Sequence, residues 1–184
     1  MSGAVLAKNK KVMYVDVSLT KKFYFKIFGN ATESIITYRG ICYTKDDFYA
    51  TEHWNEYDVV ILCSDDGSSL QSVTIPFDHV YLICGISRGS LSLLENIINN
   101  TVLADITYSL VLRASEQQVN YFNACRALDV ITSKYLPESI YYVPLNEKDI
   151  ENELLLDYGS VDMRQVSANM QKLLWDLKAG FLKL

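Results

Sequence analysis

Apolar runs of strand length alternate along the chain with longer segments whose apolar residues recur at helical spacing. The pattern predicts strands at 10–18, 57–63, 79–84, 106–114 and 139–145, and helices at 91–103, 116–128, 147–157 and 166–184. Residues 21–29 fit a helix or a strand, and the tyrosine-rich segment 34–50 predicts short strands and loop. Strands that alternate with helices predict an α/β fold with a doubly wound, mainly parallel sheet flanked by helices.

Length and composition predict one globular domain over residues 1–184. The chain is 49% hydrophobic and 21% charged, contains no repeat or linker, and has a net charge of −5, which gives no general attraction for nucleic acid. No apolar run is long enough to span a bilayer, and the first eleven residues lack a signal peptide's apolar core. The four cysteines are isolated and there are only two histidines, which argues against a zinc site. We expect the cysteines to be reduced, as is usual in a cytoplasmic protein.

The segment Gly85–Gly89 matches G-x-S-x-G, the nucleophile motif of α/β hydrolases, and lies between a predicted strand and a predicted helix. In that fold the triad histidine follows the serine in the chain. Both histidines, His53 and His79, precede Ser87. The sequence therefore favours a strand-to-helix turn in which Ser87 or Ser90 caps the helix.

Phosphate-binding and metal-binding motifs are missing from the sequence. There is neither G-x-x-x-x-G-K-[ST] nor G-x-G-x-x-G. The loop "SDDGSS" (64–69) contains Asp65 and Asp66, which would either hold a divalent cation or remain solvated. Adjacent acids in a loop are usually solvated, so we predict no bound metal.

The last predicted helix, Val166–Leu184, has an apolar stripe with lysines beside it. One interpretation is a helix that lies on a membrane surface, and the other is a helix that packs on the core. Core packing is favoured, because three lysines attract a membrane only weakly. The stripe consists of Met170, Leu173, Leu174, Leu177, Phe181 and Leu184.

Five segments follow, in order, the strand and helix pattern of a known ATPase superfamily. They include "AVLAKNKKVMYVDVS", "EYDVVILCSDDG" and "YSLVLRAS", and they lie at 4–18, 56–67, 77–98, 108–115 and 139–177. With them the chain resembles the ParA/MinD superfamily of deviant P-loop ATPases. The most similar branch is the CpaE/TadZ-like one, which helps to position pilus assembly machinery.

The departures from the family pattern fall on its nucleotide site. The P-loop is missing, and the chain begins about where the helix behind it would end. Asp16 occupies the first acidic position of its strand, but Ser18 replaces the second, and Cys63 stands where the magnesium-linked aspartate belongs. Leu112 or Arg113 replaces the asparagine that reads adenine. A neutral, soft thiol is a poor partner for Mg²⁺.

The resemblance therefore implies a degenerate, non-catalytic ParA/MinD-like scaffold or localisation protein with no cofactor. Asp16, Asp65, Asp66 and Gly67 would be vestigial nucleotide-site positions. The alternative is an ATP-binding or weakly hydrolysing member that uses ATP and magnesium and whose P-loop lies on a missing N-terminal segment. A weaker alternative is a small-molecule domain that binds at the strands' carboxyl ends.

The resemblance also implies a protein partner or a homodimer, because the family dimerises face to face across ATP. The corresponding face would include Asp65, Asp66, Gly67 and the loop from Gly85 through Ser87 and Arg88 to Ser90. A nearby aromatic segment would add to an interface or, as the alternative, cover the edge of the sheet. Its residues are Tyr43, Phe48, Tyr49 and Trp54.

Overall fold

A computed structural model describes residues 10–65, 77–85, 87–100, 107–115, 129, 137–145, 147 and 166–182. The chain divides into two compact units, which we treat separately. Described residues 10–65 and 174–182 belong to the first unit, and described residues 77–147 and 166–173 belong to the second.

The first unit is built on a four-stranded sheet with the order β2-β3-β1-β4. Three strands run parallel, and β2 pairs antiparallel with β3 at the edge. Arg39 and Gly40, both at positive φ, form the two-residue turn between β2 and β3, as expected for a type I′ hairpin. The strands are β1 (Val12–Asp16), β2 (Ile35–Tyr38), β3 (Ile41–Thr44) and β4 (Val59–Cys63).

The sheet of the first unit is covered on both faces. Helix α1 (Lys22–Phe28) places the Phe28 ring 5.1 Å from that of Tyr43 on one face. Helix α2 (Asp47–His53) packs Ala50 against Met13 and its neighbours on the other. β1 lies between β3 and β4, and its continuous apolar sequence matches its burial on both faces.

The second unit contains a parallel three-stranded sheet with the order β5-β6-β7. Helix α3 (Arg88–Asn100) buries the face that carries Leu91, Leu94 and Ile98 against Leu82 and Leu110 of the sheet. This is the helical face that the apolar spacing predicts. The strands are β5 (Val80–Gly85), β6 (Tyr108–Ser115) and β7 (Ser139–Leu145).

The last described element is helix α4 (Ala168–Leu182). Leu173 and Leu174 of the predicted apolar stripe are buried, whereas Trp175 is exposed. Core packing of this stripe therefore agrees with the structure. No described helix has the length and apolar character that crossing a bilayer requires.

The structure confirms the α/β class, with mainly parallel sheets flanked by helices, and a strand forms in each predicted strand segment. Residues 21–29, which fitted two structures, contain α1. The segment 34–50, expected to hold strands and loop, also contains the start of α2. The helices predicted at 116–128 and 147–157 lie outside the described residues. The single-domain interpretation stays a prediction.

Candidate functional site at the carboxyl edges of the sheets

The parallel strands of the first unit end together at one edge, which holds one of the predicted site residues. β1 ends at Asp16, β3 at Thr44 and β4 at Cys63, and Asp16 lies in register with Cys63 on the neighbouring strand. Ligands of open α/β sheets bind outside the carboxyl ends of the strands. This edge is therefore where nucleotide chemistry would be expected.

The Asp16 carboxylate is fully buried, and both of its oxygens are engaged within the protein. Oδ1 accepts hydrogen bonds from the Ser18 backbone N–H at 3.0 Å and from Ser18 Oγ at 2.5 Å. Oδ2 accepts from the backbone N–H of Tyr24 at 2.7 Å, which satisfies one of the free donors in the first turn of α1. Asp16 therefore fixes the connection from β1 to α1.

Two lysines lie close to this edge, and each is paired with protein groups. Lys21 Nζ donates to the Asp16 carbonyl oxygen at 3.0 Å and to Asp47 Oδ1 at 2.8 Å. Lys22 Nζ lies 3.1 Å from Asp65 Oδ2. Asp65 is thus in an ion pair, while Asp66 and Gly67 lie outside the described residues. Neither lysine sits on a glycine-rich loop of the kind that cradles phosphate.

Cys63 is a poor replacement for a metal-binding aspartate. Burial raises the pKa of its thiol, the hydrogen bond from the Tyr14 hydroxyl opposes that shift, and the Asp16 carboxylate adds to it. The pKa of Tyr14 is also raised, first by burial and then by Cys63. The thiol is therefore protonated at neutral pH and unsuited to a hard cation.

The described residues do not fit a magnesium-bound nucleotide at this edge. Mg²⁺ needs oxygen ligands in near-octahedral geometry, but Asp16 is buried and already hydrogen-bonded, and Cys63 offers a protonated sulfur. Within the described ranges, no group of three or more His, Cys, Asp or Glu residues could hold a metal ion.

In the second unit, the G-x-S-x-G segment forms the turn from β5 into α3. Ser87 Oγ accepts from the Ser90 backbone N–H at 3.1 Å and lies 2.8 Å from Ser90 Oγ. The predicted capping role of Ser87 is thereby confirmed. A Cβ on Gly85 would lie 3.3 Å from Ser90 Oγ, so a larger residue at this position would require the Ser90 side chain to shift slightly. Arg88 begins α3.

Leu112 and Arg113, the two candidates for the position where the family's asparagine reads adenine, lie in strand β6. Leu112 is 1% exposed in the core of β6 and has no polar group to offer a base. The next residue, Arg113, has a buried Nε without a hydrogen bond, the one such side-chain N or O found among the described residues. A buried donor without a partner is costly, which makes this arginine unusual. Nothing in the one-dimensional sequence indicates that its partner is missing.

A second polar cluster, which sequence reasoning missed, lies at the amino ends of β5, β6 and β7. His79 Nε2 lies 2.9 Å from Ser109 Oγ, and Nδ1 lies 3.4 Å from Glu138 Oε2. Burial lowers the pKa of His79, and Glu138 opposes that shift. The arrangement has the bonding order of a hydrolase triad.

Two observations argue against hydrolysis at this cluster. Ser109 is 2% exposed, and its strand pairs on both sides, in register with Tyr81 and Ser139. A backbone held in two ladders offers no N–H groups for an oxyanion. His79, which precedes β5, therefore has a structural role, because it contacts Ser109 near the start of β6 and Glu138 just before β7.

The predicted interface aromatics divide into exposed and packed residues. Phe48 is 70% exposed and Trp54, in the short 3-10 turn after α2, is 37% exposed. Tyr43 contacts the rings of Tyr14 and Phe28, and Tyr49 packs on His53. Only part of this aromatic segment is therefore available to a partner.

Comparison with known proteins identifies the fold. No family model and no curated protein sequence matches the chain. The MinC:MinD cell division protein complex of Aquifex aeolicus aligns with a TM-score of 0.62 at 14% identity, covering 100% of this chain and 88% of that one. MinD from the same organism aligns at 0.58 and 13% identity, covering 100% and 89%.

A ParA-type protein shows the same similarity. The plasmid partition protein of Borrelia burgdorferi B31, solved with AMPPNP bound, aligns with a TM-score of 0.59 at 16% identity and covers 98% of this chain and 90% of that one. At these identities the similarity concerns the fold. The chain has the P-loop NTPase fold of the MinD and ParA proteins.

Proposed function

We propose that this chain is a non-catalytic ParA/MinD-like scaffold or localisation protein that acts through protein contacts. The observation that carries the proposal is the state of Asp16. Its carboxylate is fully buried, and three donors from Ser18 and Tyr24 occupy its two oxygens. An aspartate in that state holds β1 to α1 and presents no oxygen at the surface to a metal-bound water.

The neighbouring groups support the same conclusion. Phosphoryl transfer depends on positioning and on electrostatic stabilisation of the transferred group. At the described part of this edge the thiol of Cys63 is protonated, and Lys21 and Lys22 are paired with Asp47 and Asp65. Recruiting either lysine to a phosphate would require breaking an existing ion pair.

The cellular setting of the proposal comes from similarity alone. The CpaE/TadZ-like resemblance suggests a role in positioning pilus or secretion machinery. One protein of the same fold, MinD, has been solved in complex with the protein MinC. By analogy, we expect a protein partner for this chain.

Calorimetric titration with ATP and Mg²⁺ tests the proposal, with AMPPNP in a parallel titration and phosphate release measured on the same sample. We expect no binding heat and no phosphate release. A ligand at 100 times its Kd would stabilise the folded state by about 2.7 kcal/mol, so a thermal unfolding scan provides an independent check.

The outcomes of the titration distinguish the non-catalytic scaffold from the ATP-binding or weakly hydrolysing alternative. Micromolar affinity for AMPPNP without turnover would support the ATP-binding alternative. Phosphate release that requires Mg²⁺ would overturn the proposal entirely. The AMPPNP-bound plasmid partition protein shows that a chain of this fold can hold a nucleotide, which makes it a suitable positive control.

A further inference from the structure

Strand β2 forms an edge of the first unit's sheet. It pairs with β3 on one side, and no described residue pairs with its other side. Three of its four residues are exposed, including Ile35 and Tyr38 at 39% each. An edge of this kind presents unpaired backbone donors and acceptors to other chains.

The hydrogen-bond pattern shows which residues face outward. The backbone N–H of Lys45 donates to the Ser34 carbonyl at 3.1 Å, so Ser34 bonds toward β3. Antiparallel ladders alternate, and the pairs Ile36–Tyr43 and Tyr38–Ile41 therefore also bond inward. The N–H and C=O groups of Ile35 and Thr37 point away from the sheet.

Little protects this edge besides its short length. The sequence Ile35–Tyr38 contains no charged residue and no proline, and its register with β3 is uninterrupted by a bulge. Isoleucine, threonine and tyrosine all favour strands. Natural edge strands usually carry a lysine, a proline or a bulge that discourages pairing.

We propose that β2 pairs antiparallel with β2 of a second copy of this chain, about a twofold axis at Ile36. In that register Ile35 lies opposite Thr37 of the second copy, so the outward-facing groups of both strands meet and form four hydrogen bonds. Glu33, just before β2, comes close to Arg39 of the second copy, which is in the hairpin turn just after that copy's β2. Both side chains are exposed, and their charges are opposite.

No neighbouring register both aligns the outward-facing backbone groups of the two strands and brings Glu33 close to Arg39 of the second copy. A shift by one residue places outward groups against groups that are already bonded to β3. A shift by two in one direction places Ile35 opposite Arg39, which is in the hairpin turn at φ 51 and cannot continue a strand. A shift by two in the other direction places Thr37 opposite Glu33, whose carbonyl oxygen already accepts a hydrogen bond from the Tyr24 hydroxyl, and it leaves Glu33 and Arg39 without an opposite charge. The opposite charges of Glu33 and Arg39 and the alternating direction of the backbone groups in β2 thus both favour a twofold axis at Ile36. A pairing of identical surfaces closes as a dimer.

This inference deepens the contact role proposed above and rests on it, since it names one of the protein contacts. With four backbone bonds and short strands, the interface belongs to the small class that buries less than about 1,200 Å². We therefore expect a weak dimer whose population depends on concentration.

Sedimentation velocity of the full chain from 10 µM to 1 mM, without nucleotide, tests the pairing. The key variant is Thr37→Pro, because proline removes an outward N–H and leaves the bonds from Ser34, Ile36 and Tyr38 to β3 intact. Thr37→Val is the matched control. We expect the wild type and Thr37→Val to dimerise and Thr37→Pro to stay monomeric with unchanged circular dichroism.

Charge reversal tests the register independently of any effect of proline on folding. Glu33→Arg and Arg39→Glu should each weaken dimerisation about twofold to fivefold, and the double variant should restore it. A wild type that is monomeric at 1 mM, or a dimer that survives both Thr37→Pro and the single reversals, would overturn the inference. Because no nucleotide is present, that result is separate from the outcome of the ATP titration.

Discussion

Asp16 shows how one buried carboxylate can fix the connection between a strand and a helix. It lies at the end of β1, between β3 and β4, at the carboxyl edge of the sheet. Here its oxygens receive the N–H of Ser18, two residues on, and of Tyr24, eight residues on. Lys21, between them, has a left-handed backbone at φ 52. The carboxylate holds this tight turn in place.

Asp16→Ala should therefore destabilise the fold. The substitution leaves two buried backbone donors and the Ser18 hydroxyl without an acceptor, and we expect a loss of about 3 kcal/mol in the free energy of unfolding. Urea denaturation followed by tryptophan fluorescence measures it, since Trp54 lies in the same unit. The same loss of stability is expected whether or not ATP is present, because it arises from hydrogen bonds within the protein.

The matched control is Asp65→Ala. Asp65 pairs with Lys22, whose side chain is 52% exposed, so the loss should stay below about 1 kcal/mol. Equal effects of the two substitutions, or no effect of Asp16→Ala, would contradict the structural role of Asp16.

At the scale of elements, the three strands of the second unit are joined at their amino ends by His79. The ring links the start of β5 to Ser109 in β6 and to Glu138, which directly precedes β7. It also packs on Tyr81, with ring centroids 4.5 Å apart. Hydrogen bonds therefore reinforce the alignment of the strands in a short parallel sheet.

This cluster makes the stability of the fold depend on pH. The pKa of folded His79 lies below the ordinary value of about 6.5, so the unfolded chain binds the proton more readily. The stabilisation is complete above about pH 6.5 and is lost as the pH falls through the folded pKa. Urea midpoints from circular dichroism at pH 7.5, 6.5 and 5.5 should decrease in that order.

Two variants test whether His79 causes the pH dependence of the urea midpoint. His79→Gln can still bond to Ser109 but does not titrate, so its midpoint should fall less over the same range. His53→Gln removes the second histidine of the chain, which lies in the first unit, and is the comparison variant. Identical slopes for both variants would assign the pH dependence to other groups.

The sequence predicts elements well where apolar residues form a continuous run or recur at helical spacing, and poorly where contacts join distant residues. The apolar runs of β1, β4 and β5 identify strands, and the spacing of Leu91, Leu94 and Ile98 identifies the buried face of α3. Helix α2 is missed because its aromatic residues favour strands. Its one helical signal is Asp46, which accepts from the N–H groups of Phe48 and Tyr49.

The polar contacts are harder to predict because strand register creates them. His79 and Ser109 are thirty residues apart, and they meet only once β5 and β6 are aligned. The outward direction of Ile35 and Thr37 likewise depends on how β2 pairs with β3. The proposed loss of the nucleotide site is different, since it is inferred from single residues such as Cys63 that can be read directly from the sequence.

At the scale of the whole molecule, charge and exposed surface limit the partners that the chain can bind. The net charge of −5 disfavours both nucleic acid and anionic lipid. Helix α4, whose apolar stripe lies beside lysines, has Leu173 and Leu174 at 6% and 7% exposure. Apolar side chains that are already buried are not available to a bilayer.

We therefore expect no binding to vesicles of phosphatidylglycerol and phosphatidylcholine. Trp175 is a suitable reporter, because it is 61% exposed on α4 and carries Lys178 Nζ 5.0 Å from its ring centre. Trp54→Phe leaves Trp175 as the single tryptophan, and its emission should not shift to shorter wavelength as lipid is added. A saturable blue shift that high salt abolishes would show that α4 gives up its packing for the membrane. In that case the buried leucines would be in exchange with a lipid-bound state, and localisation would depend on the membrane surface rather than on protein contacts alone.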